Sequence, residues 1–173
     1  MKKTNIVTLC ITDLNLNQIL MINRNHAPYK DYWGLLGGKI KKNELPRDAS
    51  NRELIEEYGK SLSGRFLGEW EEVVINESEV VVYDFNIYVY HFCVRSPELT
   101  HKTKEGELRW FERIDLSRKD IIPADNYILK NMFYNGLRKG RSLTRELDCN
   151  KVSGRKKYEI IAVQGGDIHE NKN

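Results

Sequence analysis

The fold of this chain is decided by residues 37–60, which read GGKIKKNELPRDASNRELIEEYGK. Three carboxylates in this stretch, Glu53, Glu56 and Glu57, are three and four residues apart. At about 100° per helical residue, Glu56 and Glu57 lie about 60° and about 40° to either side of Glu53, so one helix face gathers all three. Like charges at this spacing destabilise an isolated helix by roughly 0.2–0.5 kcal/mol per pair, and a hard divalent cation would neutralise them.

The residues around this triplet favour a site over a solvated face, although a run of Glu on a helix is more often solvated. Gly37-Gly38 follows the apolar run 33–36 and lets the backbone approach a ligand closely. Pro46 suits the first turn of a helix, and Gly59 suits a left-handed helix end. The pattern predicts a strand, a glycine loop, an acidic helix and a glycine stop.

This stretch resembles the Nudix box of the Nudix hydrolases, Gly-x5-Glu-x7-Arg-Glu-U-x-Glu-Glu-x-Gly-U, where U is a bulky apolar residue. The matching positions are Gly38, Glu44, Arg52, Glu53, Leu54, Glu56, Glu57 and Gly59. The last position departs, because Lys60 stands where an apolar residue is expected. That position packs the end of the helix, and the methylene stem of Lys can partly cover apolar surface. Matches at this many fixed gaps are far more specific than a lone glycine triplet.

The rest of the chain fits a single α/β domain. With 173 residues, 40% of them apolar and 31% charged, it can bury a sizeable core. Five stretches read as strands: residues 5–12, 18–24, 66–75, 80–94 and 108–111. A second helix is predicted from Pro123 to a stop at Gly140. Strands covered by helices on both sides predict an α/β/α sandwich with a mixed β-sheet, which is also the fold that the resemblance implies.

The C-terminal part continues beyond the Nudix domain, which we assign to residues 1–140. Residues 143–147 and 158–163 read as two strands, so 141–164 is predicted to be a β-hairpin extension of the same domain. Residues 165–173 read as a flexible polar tail.

The predicted hairpin is basic, and this charge has two interpretations. It could attract polyphosphate or nucleic acid, or it could keep an edge strand unpaired. The net charge of only +3 and the lack of interleaved aromatic residues favour the second, so nucleic acid is not expected as a partner. A homodimer that pairs through the hairpin stays open.

Cysteine usage and the N-terminus predict a cytoplasmic protein with no membrane partner. Cys10, Cys93 and Cys149 are odd in number and in no metal or redox spacing, so free thiols in a reducing compartment are expected. The apolar stretch 6–11 is too short for a signal peptide and ends before Asp13, and no run is long enough to span a membrane.

The resemblance implies a Mg²⁺-dependent hydrolase of a diphosphate bond, with Mn²⁺ as an alternative metal. Breaking such a bond requires neutralised phosphate oxygens and a water delivered in line. The resemblance assigns the metal to Glu53, Glu56, Glu57 and the backbone carbonyl of Gly38, with Glu44 as a further ligand.

The same resemblance assigns catalytic roles. Arg52 is expected to hold a glutamate of its own helix in place. The proton acceptor is either Glu53 of the box or an acid in a loop ahead of a late strand, where Glu105 and Glu107 are available. Glu107 is preferred because it directly precedes the strand 108–111. The alternative is that both loop acids are merely solvated.

Arg24, Lys39 and Asp125 are the candidate substrate-binding residues. Lys39 is close enough to the box to meet a phosphate, although a loop lysine is often only solvated. Residues 122–127 resemble the MutT-type branch that removes oxidised purine nucleotides, in which a Pro-x-Asp or Pro-x-Asn reads the purine edge. Asp125 would be that residue here, unless it only caps the second helix. Three aromatic residues could stack on a base: Tyr29, Trp33 and Phe85.

Three functional classes follow from these patterns. The leading one hydrolyses a nucleoside triphosphate, such as 8-oxo-dGTP, to the monophosphate and pyrophosphate. The second keeps the chemistry but acts on ADP-ribose, other nucleoside diphosphate derivatives or RNA 5′ ends. The third is a nucleotide-sensing module without turnover, which is disfavoured because a sensor has no need of four acids that repel one another.

Overall fold

The computed structural model describes residues 2–98, 102–117, 120–134, 136, 138–150 and 155–165. Its strands are β1 (Thr4–Asp13), β2 (Gln18–Arg24), β3 (Trp33–Gly34), β4 (Leu36–Lys39), β5 (Arg65–Ile75), β6 (Val81–Val94), β7 (Gly106–Glu112), β8 (Lys139–Asn150) and β9 (Arg155–Gln164). Its helices are α1 (Pro46–Tyr58) and α2 (Pro123–Tyr134), with a 3₁₀ helix at Arg113–Ser117.

All of these strands form one mixed sheet in the order β3-β2-β1-β6-β5-β8-β9, with β4 paired to β1 and β7 paired to β2. Two pairs are parallel, β1 with β6 and β5 with β8, and the other pairs are antiparallel. The five strands predicted ahead of the hairpin are confirmed, with ends that move by at most two residues. The two hairpin strands are also present, but each is longer at both ends than predicted.

Side chains that alternate between the two faces of β1 show how the sheet is covered on both sides. Val7 and Leu9 pack in the same cluster as Leu54 of α1. Cys10, one position on, packs in the cluster that contains Leu129 of α2. Because successive strand residues point to opposite faces, the two helices lie on opposite sides of the sheet. The predicted α/β/α sandwich is confirmed.

The predicted helix stop at Gly140 is wrong, because Gly140 lies inside β8. An ideal Cβ at this position would lie 2.3 Å from the ring of Trp70, which is fully buried on β5. Gly140 therefore lets β8 pass close to a large core side chain. The described part of α2 ends at Tyr134, and Gly136 beyond it has φ +60.

The C-terminal hairpin is confirmed as part of the main sheet. Strands β8 and β9 pair antiparallel, and β8 joins β5 in parallel from Lys139 to Arg145. The boundary assigned at residue 140 falls within β8, so the extension is continuous with the domain. Most of the tail predicted at 165–173 lies outside the described residues.

Helix α1 has the ends that its sequence predicts. Pro46 opens it, and Gly59 ends it with φ 80 and an amide that donates to the Ile55 carbonyl at 3.0 Å. Its buried face is unusual, because Glu53 and Glu57 are buried whereas Ile55 is 53% exposed.

The three cysteines are free thiols, with Cys10 buried and Cys93 and Cys149 exposed. Neither α1 nor α2, the α-helices of the described residues, is long and apolar enough to cross a bilayer. The cytoplasmic location stays a prediction.

Candidate active site

The two glycines of β4 bring its backbone against the acidic face of α1. An ideal Cβ on Gly38 would lie 2.3 Å from Oε1 of Glu53. One on Gly37 would lie 2.1 Å from the Val7 carbonyl oxygen, and φ of Gly37 is +143. Side chains are excluded at both positions, so the glycine pair allows a carboxylate to approach the main chain directly.

Glu57 is held at this contact with one oxygen unused. The amide of Gly37 donates to its Oε2 at 2.8 Å, while its Oε1 is buried without a hydrogen-bond partner. Burial, followed by the charge of Glu105, raises the pKa of Glu57 to about 8. A buried carboxylate oxygen without a partner destabilises the folded protein, so this atom indicates a missing ligand.

Glu53 and Glu56 stand beside Glu57 and share one guanidinium group. Nη1 of Arg52 donates to Oε1 of Glu53 at 2.5 Å and lies 3.5 Å from Oε2 of Glu56. Burial raises the pKa of Glu53, although the hydrogen bond from Arg52 opposes the shift. The Glu56 side chain is 55% exposed. Arg52 therefore bonds Glu53 and Glu56 but leaves Oε1 of Glu57 free.

Glu44 holds Arg52 from its other side. Nε and Nη2 of Arg52 donate to the two Glu44 oxygens at 2.8 and 2.9 Å, and Nη2 also donates to the Lys39 carbonyl at 3.1 Å. These bonds lower the pKa of Glu44 to about 2 and raise that of Arg52. Both Glu44 oxygens accept hydrogen bonds from Arg52, so Glu44 holds the Arg52 side chain in place. Its role as a further metal ligand stays a prediction.

The residues present fit a divalent cation by their chemistry. In the described part of the chain, no three His, Cys, Asp or Glu side chains already surround a common point. The fit rests instead on the unpartnered Oε1 of Glu57, on its neighbours Glu53 and Glu56, and on a donor set that consists of oxygen alone. Oxygen donors suit Mg²⁺ and Mn²⁺.

A cavity of about 550 Å³ opens beside these acids. Four box residues lie in its wall next to Gly37: Gly38, Arg52, Glu53 and Glu56. The further cations in the wall are Arg24, Lys39 and Lys41. Glu57 lies directly behind this wall, since its partner Gly37 belongs to it. A second group of wall residues consists of Glu72, Tyr83, Phe85, Ile122 and Asp125. One part of the cavity is thus polar and charged, and the other combines aromatic rings with two buried acids.

Of the two loop acids, the structure brings Glu105 to the cavity and leaves Glu107 outside it. Glu107 lies in β7 opposite Asn23, is 48% exposed and is 3.6 Å from Arg109. The charge of Glu105 raises the pKa of both Glu53 and Glu57, so it faces the box. Because β7 begins at Gly106, the acid directly before the strand is Glu105, and Glu107 is itself a strand residue.

Asp125, in the first turn of α2, contacts the residue that joins β3 to β4. Its Oδ2 accepts a hydrogen bond from the Leu35 amide at 2.8 Å, and it is 8% exposed. Burial raises the pKa of Asp125 to about 7. Its partner belongs to another segment of the chain, so the contact differs from that of a helix cap.

Arg24 and Lys39 both line the cavity. Nε of Arg24 donates to the Pro28 carbonyl at 3.0 Å, and Nη2 lies 3.1 Å from Nε2 of His26. The charge of Arg24 opposes the rise in pKa that burial causes in Glu57 and in Asp125. Lys39 is exposed at the mouth.

The three aromatic candidates have different environments. Phe85 lines the cavity next to Tyr83, with ring centroids 5.8 Å apart and ring planes within 8° of each other. Trp33 is buried against Phe111, with centroids 4.9 Å apart, and is not in the wall. Tyr29 is in the wall, but its hydroxyl is committed to Glu72.

Glu72 and Tyr83 are the wall residues that sequence reasoning missed. A signal for Glu72 was present, because it occupies the inward position between Trp70 and Val74 on β5. An acid at an inward position of a buried strand is unusual unless it has a partner or a ligand. Tyr83 and Phe85 are two residues apart on one strand and therefore share a face.

Comparison with known proteins agrees with this architecture. The family model of the NUDIX domain matches residues 2–132. The fold is similar to that of the mutator MutT protein of Bacillus halodurans, at 17% identity over 94% of this chain and 97% of that one, with a TM-score of 0.70. It is also similar to a MutT Nudix hydrolase of Burkholderia pseudomallei, at 25% identity over 75% of this chain and 98% of that one, with a TM-score of 0.63.

A third similar structure carries a nucleotide ligand. It is the NUDIX domain of Shewanella oneidensis NrtR complexed with ADP ribose, at 14% identity over 78% of this chain and 89% of that one, with a TM-score of 0.62. Nudix hydrolases act on phosphoric anhydrides and generally use divalent metal ions. Because the family model covers most of the chain and the box residues meet at one cavity, this chain belongs to the Nudix family.

Proposed function

We propose that this Nudix protein hydrolyses a purine nucleoside triphosphate, of which 8-oxo-dGTP is the leading candidate, to the monophosphate and pyrophosphate. The observation that carries the proposal is the unpartnered oxygen of Glu57 beside Glu53, behind the charged part of the cavity. The other part offers Asp125 and the rings of Tyr83 and Phe85, which suit a base.

The metal we propose is Mg²⁺, with Mn²⁺ as a substitute. Glu53, Glu56, Glu57 and the Gly38 carbonyl would hold it. When bound, it supplies charge neutralisation at the phosphate oxygens and a more acidic water. Arg52, braced by Glu44, keeps Glu53 in place through its 2.5 Å bond.

The remaining chemistry falls to side chains in the cavity wall. Arg24 and Lys39 bind and orient the polyphosphate. The water oxygen bonds to phosphorus, the bridging P–O bond breaks, and pyrophosphate leaves. The proton of the water passes to Glu105, whose carboxylate faces the cavity, while Glu53 is already bonded to Arg52.

The metal assignment is tested by Glu56→Gln and Glu57→Gln. Each removes a charged oxygen donor with little change of shape, so turnover with Mg²⁺ should fall by about a hundredfold or more while the fold persists. Asp48→Asn is the matched control, because Asp48 lies on the same helix outside the cavity wall. Wild-type rates in either glutamine variant would refute the assignment.

The base assignment is tested by the pair Glu105→Gln and Glu107→Gln. Loss of a general base should lower kcat by roughly 10²–10⁴-fold in the Glu105 variant. The Glu107 variant should stay within about threefold of wild type, because that residue is outside the cavity. The reverse result would return the role to Glu107.

Substrate choice is tested with a panel of dGTP, 8-oxo-dGTP, ADP-ribose and triphosphorylated RNA, with the products separated by chromatography. ADP-ribose is the second candidate, because a structurally similar Nudix domain is complexed with ADP ribose. Asp125→Ala should reduce the preference for purines without abolishing cleavage of poor substrates. Tight binding with no turnover of any compound would favour a sensor.

A further inference from the structure

Glu72 is a buried acid of the cavity wall that the proposed chemistry does not use. It lies on β5, is 3% exposed and points inward between Trp70 and Val74. Such a side chain is seldom kept in a protein interior without partners, because taking a carboxylate out of water is costly.

Two hydroxyl groups hold one oxygen of Glu72. Tyr29 donates to its Oε1 at 2.5 Å, and Thr144 of β8 donates to the same atom at 2.9 Å. Both partners are themselves buried, so the carboxylate plane is locked. Burial raises the pKa of Glu72, and the hydrogen bonds that Tyr29 and Thr144 donate oppose this rise.

The second oxygen of Glu72 is left without a donor. Among the described residues, no hydrogen bond or ion pair reaches Oε2, and Arg24 acts on Glu72 only through its charge at a distance. Oε2 is also absent from the buried unsatisfied atoms, so it is accessible to the cavity that Glu72 lines. A carboxylate held by one oxygen and open at the other is ready to accept a hydrogen bond from a ligand.

The residues around Glu72 indicate which kind of ligand group would donate to its free oxygen. Asp125 stands in the same part of the wall, with Oδ2 committed to Leu35. The rings of Tyr83 and Phe85, whose planes are nearly parallel, line the same cavity. A flat heterocycle stacked on these rings could present its N–H groups to the acids at its edge.

We propose that Glu72 is a specificity-determining residue, whose free carboxylate oxygen accepts a hydrogen bond from an N–H group of the substrate's base. The inference rests on the proposed nucleotide substrate and extends it. Glu72 would favour bases that carry N–H donors on their edge over bases that carry none. Thr144 acts as a positioning residue, since it fixes the orientation of Glu72.

The test is the affinity of Glu72→Gln for nucleoside 5′-monophosphates, measured by calorimetry without turnover. The amide oxygen can still accept from Tyr29 and Thr144, which turns an NH₂ donor toward the cavity. Guanosine and adenosine monophosphates carry base N–H donors, whereas purine riboside monophosphate carries none. Wild type should bind the better of the first two at least about tenfold more tightly than the third, as expected for a charged hydrogen bond.

In the Glu72→Gln protein this ratio of affinities should fall below about threefold. Glu71→Gln is the matched control, since Glu71 neighbours Glu72 on β5 but pairs with Lys3 at 3.0 Å outside the cavity wall; it should keep the wild-type ratio. An unchanged ratio in Glu72→Gln, an equal loss for all three ligands, or no preference in wild type would each overturn the inference.

Thr144→Val gives a second test if Glu72→Gln does not fold. Thr144 is fully buried and is not in the cavity wall, so it can change the ratio only through Glu72. The ratio should fall at least about threefold, and an unchanged ratio would contradict the proposal. This test measures binding without hydrolysis, whereas the proposed function is tested by turnover. A failure of this inference can therefore be distinguished from a failure of the proposed function.

Discussion

At the scale of single residues, two backbone amides position the two ends of the site. Gly37 donates to Glu57, which we assign to the metal, and Leu35 donates to Asp125, which we assign to the base. The two donors are two residues apart, which is about 7 Å along an extended chain. One short segment of main chain therefore sets the spacing between the acids that we assign to the metal and to the base.

Asp125 also predicts a pH dependence of stability. Its pKa rises from 3.8 to about 7 on folding, so between these values the folded state binds the extra proton. The unfolding free energy therefore falls as pH rises through this window, by on the order of 2–4 kcal/mol. Asp125→Asn keeps an oxygen for Leu35 but cannot ionise, so it should lack this contribution.

Urea unfolding of both proteins at pH 4 and pH 8 measures the effect. The stability of wild type relative to Asp125→Asn should decrease between the two pH values, because the other titrating groups cancel in the difference. Parallel pH profiles would show that Asp125 does not titrate in this range.

At the scale of elements, α1 buries acids because of the strand it meets. Its neighbour β4 has glycines where Glu53 and Glu57 approach, so there is no apolar surface for a hydrophobic side chain to cover. Lys60, which departs from the box pattern, is exposed and pairs with Glu98 at 2.5 Å. The departure therefore leaves the acidic face unchanged.

The end of α1 yields a stability prediction. Gly59 has φ 80, and a Cβ there would meet no heavy atom within 4 Å, so substitution acts through backbone conformation alone. Gly59→Ala should lower the unfolding free energy by about 1 kcal/mol in urea denaturation. Gly59→Asn should lower it less, since Asn tolerates the left-handed region better. Equal stability of the alanine variant would contradict the left-handed cap.

At the scale of the whole molecule, the C-terminal hairpin supports the site from behind. The Tyr158 hydroxyl accepts from the Tyr29 amide at 3.2 Å, and the Tyr158 amide donates to the Tyr32 hydroxyl at 3.3 Å. The ring centroids of Tyr29 and Tyr158 are 4.2 Å apart. Since Tyr29 lines the cavity, the hairpin helps to fix the loop that carries it.

Truncation after Arg138 should therefore destabilise the protein. It removes β8 from β5 and exposes Trp70, whose indole N–H donates to Ser142 at 3.0 Å. We expect a red-shifted tryptophan emission and a melting temperature at least about 10 °C lower. Tyr158→Phe, the milder control, should lose only about 1 kcal/mol. A truncated protein with wild-type melting would show that the hairpin is dispensable.

Local sequence patterns were sufficient to predict the Nudix box and most boundaries of the helices and strands. Pro46 and Gly59 mark the ends of α1 through their own backbone preferences, and the strands follow from alternation or from continuous β-branched and aromatic runs. The spacing of Glu53, Glu56 and Glu57 on one face is a property of the helix itself. These features depend on neighbours within a few residues, which is why they can be read from the chain.

The composition of the cavity was decided only by tertiary structure. Glu72, Glu105 and Asp125 come from segments far apart in the chain, and strand register and helix packing determine which acid of each segment faces inward. A shift of one residue turns a strand side chain to the other face of the sheet. The sequence by itself therefore determined the acidic helix α1. Long-range packing put Glu105, Glu72 and Asp125 in the wall of one cavity and Gly140 in a strand, because these contacts join segments that are far apart in the chain.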